Sequence, residues 1–356
     1  ISDGNADLNN ITANALTVAS LAQTAGTGTT TFNGAVDTNT AAGVNINTNN
    51  STVNSTINTT AGGVVTFNDA GVATFDEAGD ITADGAVTIT AAGGINTAGE
   101  VTTTNDNITL NSATTLTGDV TLDSGSGTIA LNGTVDGNSN LILNSTGITD
   151  INGVIGGTTA IASIITSAAG TTDLGANISV SAGGMNFNDA VTQSADVTLT
   201  SASSPISFAS TINGGGNALT LNGGAGGAIA VTGAASNIST LTITDSASST
   251  FTGTVQATTV ALTDTTGAIT FNNNLTAGTL TSAANGHSVV LNGTTNTVTN
   301  AVTFNNTGGV TLGNAVGDSS TFNGGLTSTA STTSTSGTVT VNGGNLALGV
   351  TNLNAA

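Results

Sequence analysis

Residues 127–161 read GTIALNGTVDGNSNLILNSTGITDINGVIGGTTAI, and a short pattern within this stretch decides the fold. In Ile129-Ala130-Leu131-Asn132, two apolar residues flank a single residue and an Asn follows. The same pattern recurs as Ile108-Thr109-Leu110-Asn111 and as Val302-Thr303-Phe304-Asn305. Because side chains alternate across a β-strand, the two apolar residues point to one side and the residue between them points to the other. Each copy of the pattern therefore predicts a short strand with one buried face.

The strands recur with a period of about 20 residues. Leu110, Leu131 and Ile151 are separated by 21 and 20 residues, and Phe251 and Phe271 by 20. Between these anchors, Asn-Gly, Asn-Asp and Gly-Thr pairs suit sharp corners, because Gly and Asn tolerate positive φ. One period predicts a strand, a tight corner, a short second strand, a variable loop and a third strand.

A unit of this size cannot bury its apolar faces alone, but stacked copies can pair strand on strand and form inward columns. We therefore predict an all-β fold, a right-handed parallel β-helix (β-solenoid) with about 20 residues per coil and roughly 17 coils. One continuous solenoid is expected over residues 1–356. Within it, residues 1–104 form less regular coils with acidic loops, residues 105–345 the most regular repeats, and residues 346–356 an end without a cap.

Composition favours this fold over disorder or helix. The chain contains 49 Gly, but 37% of its residues are hydrophobic and only 6% are charged, whereas disordered chains have low hydrophobicity and many charges. Gly, Thr, Asn and Ser disfavour helix interiors, and Val, Ile and Thr favour strands.

The charge of the chain excludes several functions. It has no Lys or Arg and 20 acidic residues, giving a formal net charge of −20. Such a surface would repel the phosphates of nucleic acid, so no nucleic-acid partner is expected. There is no Cys for a disulfide, and no apolar run is long enough to predict membrane insertion as a helix.

Two sets of residues are predicted to hold the stacked coils together. The first set consists of large apolar residues at the repeat spacing, which predict a core column: Phe187, Phe208, Phe251, Phe271, Leu291 and Leu312. The second set consists of asparagines that follow strands, which predict a ladder of stacked amides on one corner, with a simple turn-forming role as the alternative. These asparagines are Asn33, Asn68, Asn132, Asn152, Asn188, Asn272, Asn305 and Asn323.

A cluster of acidic residues is the one candidate metal site. Asp76, Glu77, Asp80 and Asp84 are interleaved with Gly and offer the hard oxygen ligands that Ca²⁺ prefers. Neither an EF-hand loop nor the calcium nonapeptide repeat matches this stretch. A solvated acidic face is the alternative, and no cofactor is required by any motif.

No catalytic residues are predicted. His287 is the only histidine and follows Gly286, an arrangement found in some polysaccharide-degrading β-helix enzymes. Those enzymes also need clustered Asp residues and a basic residue, both of which are missing here, so His287 is interpreted as a loop residue. Thr-x-Thr triplets would suit an ice-binding face, but they skip coils. A polysaccharide-degrading enzyme and an ice-binding protein remain remote alternatives.

The phrases GGVVTFNDAG, GTIALNGTVDG and GAITFNNNLTAGTLT resemble the repeats of filamentous-haemagglutinin-like adhesins and of related bacterial surface proteins, including S-layer proteins. The resemblance covers nearly the whole chain. It implies a right-handed parallel β-helix that is secreted and displayed at the cell surface. The chain lacks a recognisable secretion domain of that family and any Lys or Arg.

These observations together predict an extracellular or cell-surface structural protein. Open strand edges template further pairing, so we expect a homopolymer, formed through end-to-end or lateral contacts, that builds a filament, sheath or layer. The alternative is an adhesin stalk that binds a cell-surface or glycan ligand.

Overall fold

A computed structural model describes residues 10–353, and every regular element within them is a β-strand. The strands pair in parallel with the strand one turn away, which makes a β-solenoid of about 16 turns with about 21 residues per turn. The predicted fold class is therefore confirmed, with a slightly longer turn than the repeat spacing indicated. The chain divides into two compact units between Val180 and Ser181.

The first unit contains three strands per turn, and its strands are short because each turn bends three times. Its elements are β1 (Asn10–Ala13), β2 (Leu16–Val18), β3 (Leu21–Gln23), β4 (Thr29–Phe32), β5 (Val36–Thr38), β6 (Val44–Thr48), β7 (Asn50–Val53), β8 (Ile57–Thr59), β9 (Val65–Asp69), β10 (Val72–Phe75), β11 (Ile81–Ala83), β12 (Val87–Ala91), β13 (Gly94–Thr97), β14 (Val101–Thr103), β15 (Ile108–Leu110), β16 (Thr114–Leu116), β17 (Val120–Gly125), β18 (Ile129–Leu131), β19 (Val135–Asp136), β20 (Asn140–Ser145), β21 (Ile148–Ile151), β22 (Ile161–Thr166) and β23 (Thr171–Leu174).

These strands stack into three faces. Face A consists of β1, β4, β7, β10, β13, β16 and β19, and face B of β2, β5, β8, β11, β14, β17, β20 and β22. Face C consists of β3, β6, β9, β12, β15, β18, β21 and β23. In face C, Val65 lies opposite Val87 and Phe67 opposite Ile89, so apolar side chains meet across turns. The core is thus a set of inward columns, as expected for a repeat stabilised by its nearest neighbours.

The division between the units falls within β24 (Ile178–Phe187). The following strands are β25 (Ala190–Gln193), β26 (Val197–Ser201), β27 (Ile206–Phe208), β28 (Ile212–Asn213), β29 (Leu219–Asn222), β30 (Ala228–Val231), β31 (Ala235–Asp245), β32 (Ser248–Phe251), β33 (Val255–Leu262), β34 (Ala268–Phe271), β35 (Leu275–Ser282), β36 (Ser288–Leu291), β37 (Thr295–Val298), β38 (Val302–Phe304), β39 (Val310–Leu312), β40 (Ser319–Phe322), β41 (Leu326–Ser328), β42 (Thr333–Thr335), β43 (Thr338–Val341), β44 (Leu346–Leu348) and β45 (Thr351–Leu353).

The second unit also has three faces. Face D runs from the end of β24 through β27, β30, β32, β34, β36, β39, β42 and β45. Face E contains β25, β28, β37, β40 and β43, and face F contains β26, β29, β38, β41 and β44. Between these, β31, β33 and β35 each run without a break from face E into face F.

The predicted core column lies in face D as one continuous register. Phe187 pairs with Phe208, and the column continues through Val231 to Phe251, Phe271, Leu291 and Leu312. All of these side chains are buried. The rings of Phe251 and Phe271 stack with centroids 5.0 Å apart, as do those of Phe187 and Phe208. Register and burial together place the large side chains one above another.

The predicted asparagines do not share one corner, which corrects the single ladder expected from sequence. Asn33 follows a strand of face A, whereas Asn68, Asn132 and Asn152 belong to face C. In the second unit, Asn188 and Asn272 follow strands of face D, Asn305 a strand of face F and Asn323 a strand of face E. The reason is that strands on different faces all share the same pattern of an apolar residue followed by Asn, so the pattern does not identify the face.

Short ladders of amides do form within individual corners. The Asn132 side-chain nitrogen donates to Asn111 Oδ1 at 2.8 Å, and the Asn152 nitrogen donates to Asn132 Oδ1 at 3.0 Å. Asn54 donates to Asn33, Asn292 to Asn272, and Asn342 to Asn323 in the same way. Exposed amides therefore link successive turns on the outside of the solenoid.

The end segment 346–356 is described only to Leu353, and residues 354–356 lie outside the described residues. Its described part forms β44 and β45, and Leu346, Val350 and Leu353 are exposed there. Leu326, the register partner of Leu346 one turn earlier, is buried. Side chains that earlier turns cover are thus left open on this last described turn.

Candidate functional site

Three places in the molecule gather polar side chains that could carry a function: a buried cluster around His287, an acidic groove in the first unit, and a notch in the second. In each of them, the stacking of successive turns brings together residues that are distant in sequence.

The His287 side chain is fully buried, although it lies in the segment between β35 and β36. His287 thus lies in a loop, as the sequence predicted, and this loop turns the side chain into the interior. Ser282 Oγ lies 3.1 Å from His287 Nε2 and donates to Asn306 Oδ1 at 3.0 Å. The Asn306 side-chain nitrogen in turn donates to the His287 carbonyl oxygen at 3.0 Å.

This network fixes the protonation of the imidazole. Because Ser282 uses its hydrogen on Asn306, its oxygen is free to accept one from Nε2–H of His287. The other ring nitrogen, Nδ1, is buried without a hydrogen-bond partner. Burial lowers the pKa of His287 below 6.5, partly opposed by the negative charge of Asp264. A neutral histidine with a paired Nε2 is thus a packing element, and both Ser282 and His287 are closed to a substrate.

The acidic groove is lined by Asp76, Glu77, Asp80, Glu100 and Asp119 and has a volume of about 840 Å³. The backbone N–H of Glu100 donates to Asp80 Oδ1 at 2.8 Å, so the groove's carboxylates come from successive turns. Three of the four predicted calcium ligands, Asp76, Glu77 and Asp80, are brought together here with Glu100 and Asp119, which were not among the predicted ligands.

Asp84, the fourth predicted ligand, is not part of the groove. Its carboxylate accepts hydrogen bonds from the Gly62 backbone N–H at 2.8 Å and from Thr104 Oγ1 at 3.0 Å. These bonds, first that of Gly62, lower the pKa of Asp84. Over residues 10–353, no three His, Asp or Glu side chains are arranged to hold a metal ion. Calcium binding at these residues stays a prediction.

The notch lies where face E meets face F in three consecutive turns. In the turn before it, residues 214–218 form a loop between β28 and β29, and in the turn after it, residues 299–301 separate β37 from β38. The three strands between, β31, β33 and β35, pass the same corner without any loop. The missing loops leave a groove of about 760 Å³, called the corner notch.

Polar, uncharged side chains line the corner notch. They include Asn213, Asn237, Ser239, Gln256, Thr258 and Thr276. The Asn237 side-chain nitrogen donates to Asn213 Oδ1 at 3.1 Å, and Asn237 has a φ of 53°, in the left-handed region that Asn tolerates. A register shift between Ala235 and Ile238 places the extra residue there.

The corner notch was not among the sites predicted from the sequence, although the sequence carries a signal for it. The stretches ASNISTLTITD, VQATTVAL and LTAGTLTS begin 20 residues apart and contain no Asn-Gly or Gly-Gly pair at the corner. Three neighbouring repeats that all lack a corner loop predict a depression in the surface.

No family model, curated protein or solved structure matches the chain. The resemblance to filamentous-haemagglutinin-like repeats therefore stays a prediction. None of the described residues belongs to a helix that could span a membrane.

Proposed function

We propose that the chain is a non-enzymatic structural protein that acts outside the cell, where it builds a filament, sheath or layer. The observation that carries this proposal is the parallel pairing that continues from turn to turn in each unit, with buried apolar columns inside and Thr and Asn columns outside. Such a repeat gains its stability by stacking on neighbouring repeats. Stacked repeats form an extended element with a uniform surface.

The closure of the interior around His287 supports a role without catalysis. Ser282 and His287 are both buried, and their polar groups are used on each other and on Asn306. The lack of Lys and Arg supports exposure to the extracellular medium, because proteases that cut after basic residues find no site.

The parallel stacking supports self-assembly, because the strands of each turn pair with the turns on either side, and a further turn could pair in the same way with β43–β45. Leu346 is 54% exposed and Leu353 80% exposed, whereas Leu326 and Leu312, one and two turns earlier in their columns, are 1% exposed. An edge of this kind accepts a further parallel strand. A second copy of the chain would supply it in a polymer, just as a further turn would in a longer polypeptide.

Negative-stain electron microscopy and light scattering over a range of protein concentrations test the proposal. We expect fibres or larger oligomers whose share rises with concentration, and we expect the double variant Leu346→Asp/Leu353→Asp to abolish them. Val316→Asp is the matched control, because Val316 is 63% exposed but lies between β39 and β40, away from the edge. Particles that remain single at every concentration would refute self-assembly.

A further inference from the structure

The corner notch has the size and the lining of a ligand site that the structural role does not use. Its volume of about 760 Å³ lies within the range of small-molecule sites, about 300–1,000 Å³. Asn213, Asn237, Gln256, Thr258 and Thr276 are exposed, so their polar groups are open to a ligand. The site spans the turns of β31, β33 and β35, which suits an elongated ligand lying along the solenoid.

Most of these side chains are not used within the protein. Gln256, Thr258, Thr276 and Ser239 make no side-chain hydrogen bond with another described residue, in contrast to the amides of Asn111, Asn132 and Asn152 on face C. On face C, these asparagine side chains pair with the next turn. In the corner notch, Gln256 and Thr276 lie opposite each other in the register without a side-chain hydrogen bond, and both line the same groove.

The backbone keeps the floor of the corner notch open. A side chain at Gly278 would place its Cβ 2.7 Å from the Thr258 carbonyl oxygen, so only Gly fits at this position. On the other side, the Gly216 backbone N–H donates to the Asn237 carbonyl oxygen at 2.7 Å, which holds the 214–218 loop as a wall. The depression is therefore built into the chain.

The lining selects the chemistry of the ligand. No lining residue is charged, so an ion or a strongly charged ligand would find no partner. Amides and hydroxyls both donate and accept, and they match a ligand that carries many hydroxyl groups. An extended peptide is disfavoured, because Ala257 of the floor already pairs with Ile238 on one side and Ala277 on the other, leaving no strand edge.

We propose that the corner notch binds a neutral oligosaccharide, held by the side chains of Asn213, Asn237, Gln256, Thr258 and Thr276. The chain has no Trp or Tyr to stack on sugar rings. Affinity at one notch therefore comes from hydrogen bonds and is modest, and assembly into a polymer would raise it by presenting many copies.

Titration of the full chain with a panel of neutral oligosaccharides, followed by saturation-transfer NMR and calorimetry, tests this site. The panel contains cello-, malto-, manno- and N-acetylglucosamine oligomers, with polygalacturonate and an extended Ser/Thr-rich peptide as comparisons. We expect saturable binding of at least one neutral oligosaccharide and weaker binding of both comparison ligands.

The double variant Gln256→Ala/Thr276→Val should weaken that binding at least tenfold. The matched control is Thr250→Val/Thr270→Val, which removes outward hydroxyls from β32 and β34 on face D, and it should bind within twofold of the wild type. Equal melting temperatures of the three proteins establish that each is folded. The proposal is overturned if no neutral oligosaccharide binds, if the notch variant binds like the control, or if only the peptide or polygalacturonate binds. None of these outcomes depends on whether the chain polymerises.

Discussion

Asp69 in the first unit and His287 in the second are both ionisable side chains buried inside the solenoid, and they differ in their partners. Asp69 Oδ2 accepts a hydrogen bond from Ser51 Oγ at 2.5 Å, but Asp69 Oδ1 is buried without a partner. His287 belongs to a network with Ser282 and Asn306 and is neutral. In both sites one buried atom, Asp69 Oδ1 or His287 Nδ1, has no hydrogen-bond partner, so the interior tolerates a polar residue whose hydrogen-bonding groups are only partly paired.

The difference appears in the two pKa values. Burial raises the pKa of Asp69 from 3.8 to about 6, although the Ser51 hydrogen bonds oppose it. Burial lowers the pKa of His287 below 6.5, with Asp264 opposing it. The protonated carboxyl group and the neutral imidazole are therefore the forms that folding favours, so the two sites respond to pH in opposite directions.

The largest effect is expected from Asp69→Asn. Because the folded pKa of Asp69 is raised, its contribution to stability is fully present below about pH 3.8 and is lost as the pH rises through about 6. A difference of about two pKa units corresponds to about 3 kcal/mol, and an unpaired buried amide group would cost about 1 kcal/mol of it. We expect Asp69→Asn to raise the free energy of unfolding by about 2 kcal/mol at pH 8.

Denaturant unfolding at pH 8 and pH 3.5 measures this effect. At pH 3.5 the stabilisation should be gone, and the amide cost of about 1 kcal/mol should remain, because Asp69 is then protonated before and after unfolding. Asp84→Asn is the control, because the Asp84 carboxylate is exposed and its pKa is lowered by hydrogen bonds from Gly62 and Thr104. It should bring no gain at pH 8. A destabilised Asp69→Asn protein at pH 8 would mean that the carboxylate has partners other than Ser51.

A smaller effect is expected at the His287 network. Ser282→Ala leaves His287 Nε2 and Asn306 Oδ1 without their shared partner, which should lower the free energy of unfolding by about 1–2 kcal/mol at pH 7.5. The contribution of His287 itself is fully present above about pH 6.5 and is lost as the pH falls, because its folded pKa is lowered.

The acid sensitivity of His287 is best measured in the Asp69→Asn background, which removes the opposing titration near pH 6. Unfolding experiments between pH 7.5 and 5.5 should show stability falling with pH, and His287→Leu should flatten that slope. A slope unchanged by His287→Leu would show that the imidazole is hydrated in the folded protein.

The smallest effect is expected on the outside of the first unit, where water can replace a lost partner. Asn132→Ala removes two ladder hydrogen bonds, to Asn111 and from Asn152, and should lower the free energy of unfolding by about 0.5–1 kcal/mol. Thr134→Ala serves as the control, because Thr134 is exposed and its side chain makes no hydrogen bond with a described residue. Equal melting temperatures of the two variants would show that the asparagine ladder makes no net contribution to stability.

The fold follows from the sequence because the inward positions repeat. The spacing of Phe251, Phe271 and Leu291 predicts both their burial and their register, since only equal turns place them one above another. The corner on which each asparagine lies cannot be predicted from the sequence. Asn33 and Asn68 both end an apolar–x–apolar strand, and only the pairing of whole turns shows that they belong to faces A and C.

The candidate sites could be predicted only in part. Asp76, Glu77 and Asp80 are neighbours in sequence, whereas Glu100 and Asp119 reach the same groove from later turns. The His287 network combines Ser282, five residues earlier in the chain, with Asn306, which is 19 residues later and meets His287 only through stacking. A site formed by residues of different turns cannot be recognised from a short sequence motif.

Stacking by nearest neighbours has a consequence for how such a chain evolves. A turn of about 21 residues meets only the turns before and after it, so duplicating or deleting one whole turn would leave every remaining pair intact. The number of turns can therefore change freely, whereas the insertion or deletion of one residue within a strand would reverse which side chains face inward. Relatives should differ from this chain by whole multiples of a turn more readily than by small insertions in strands.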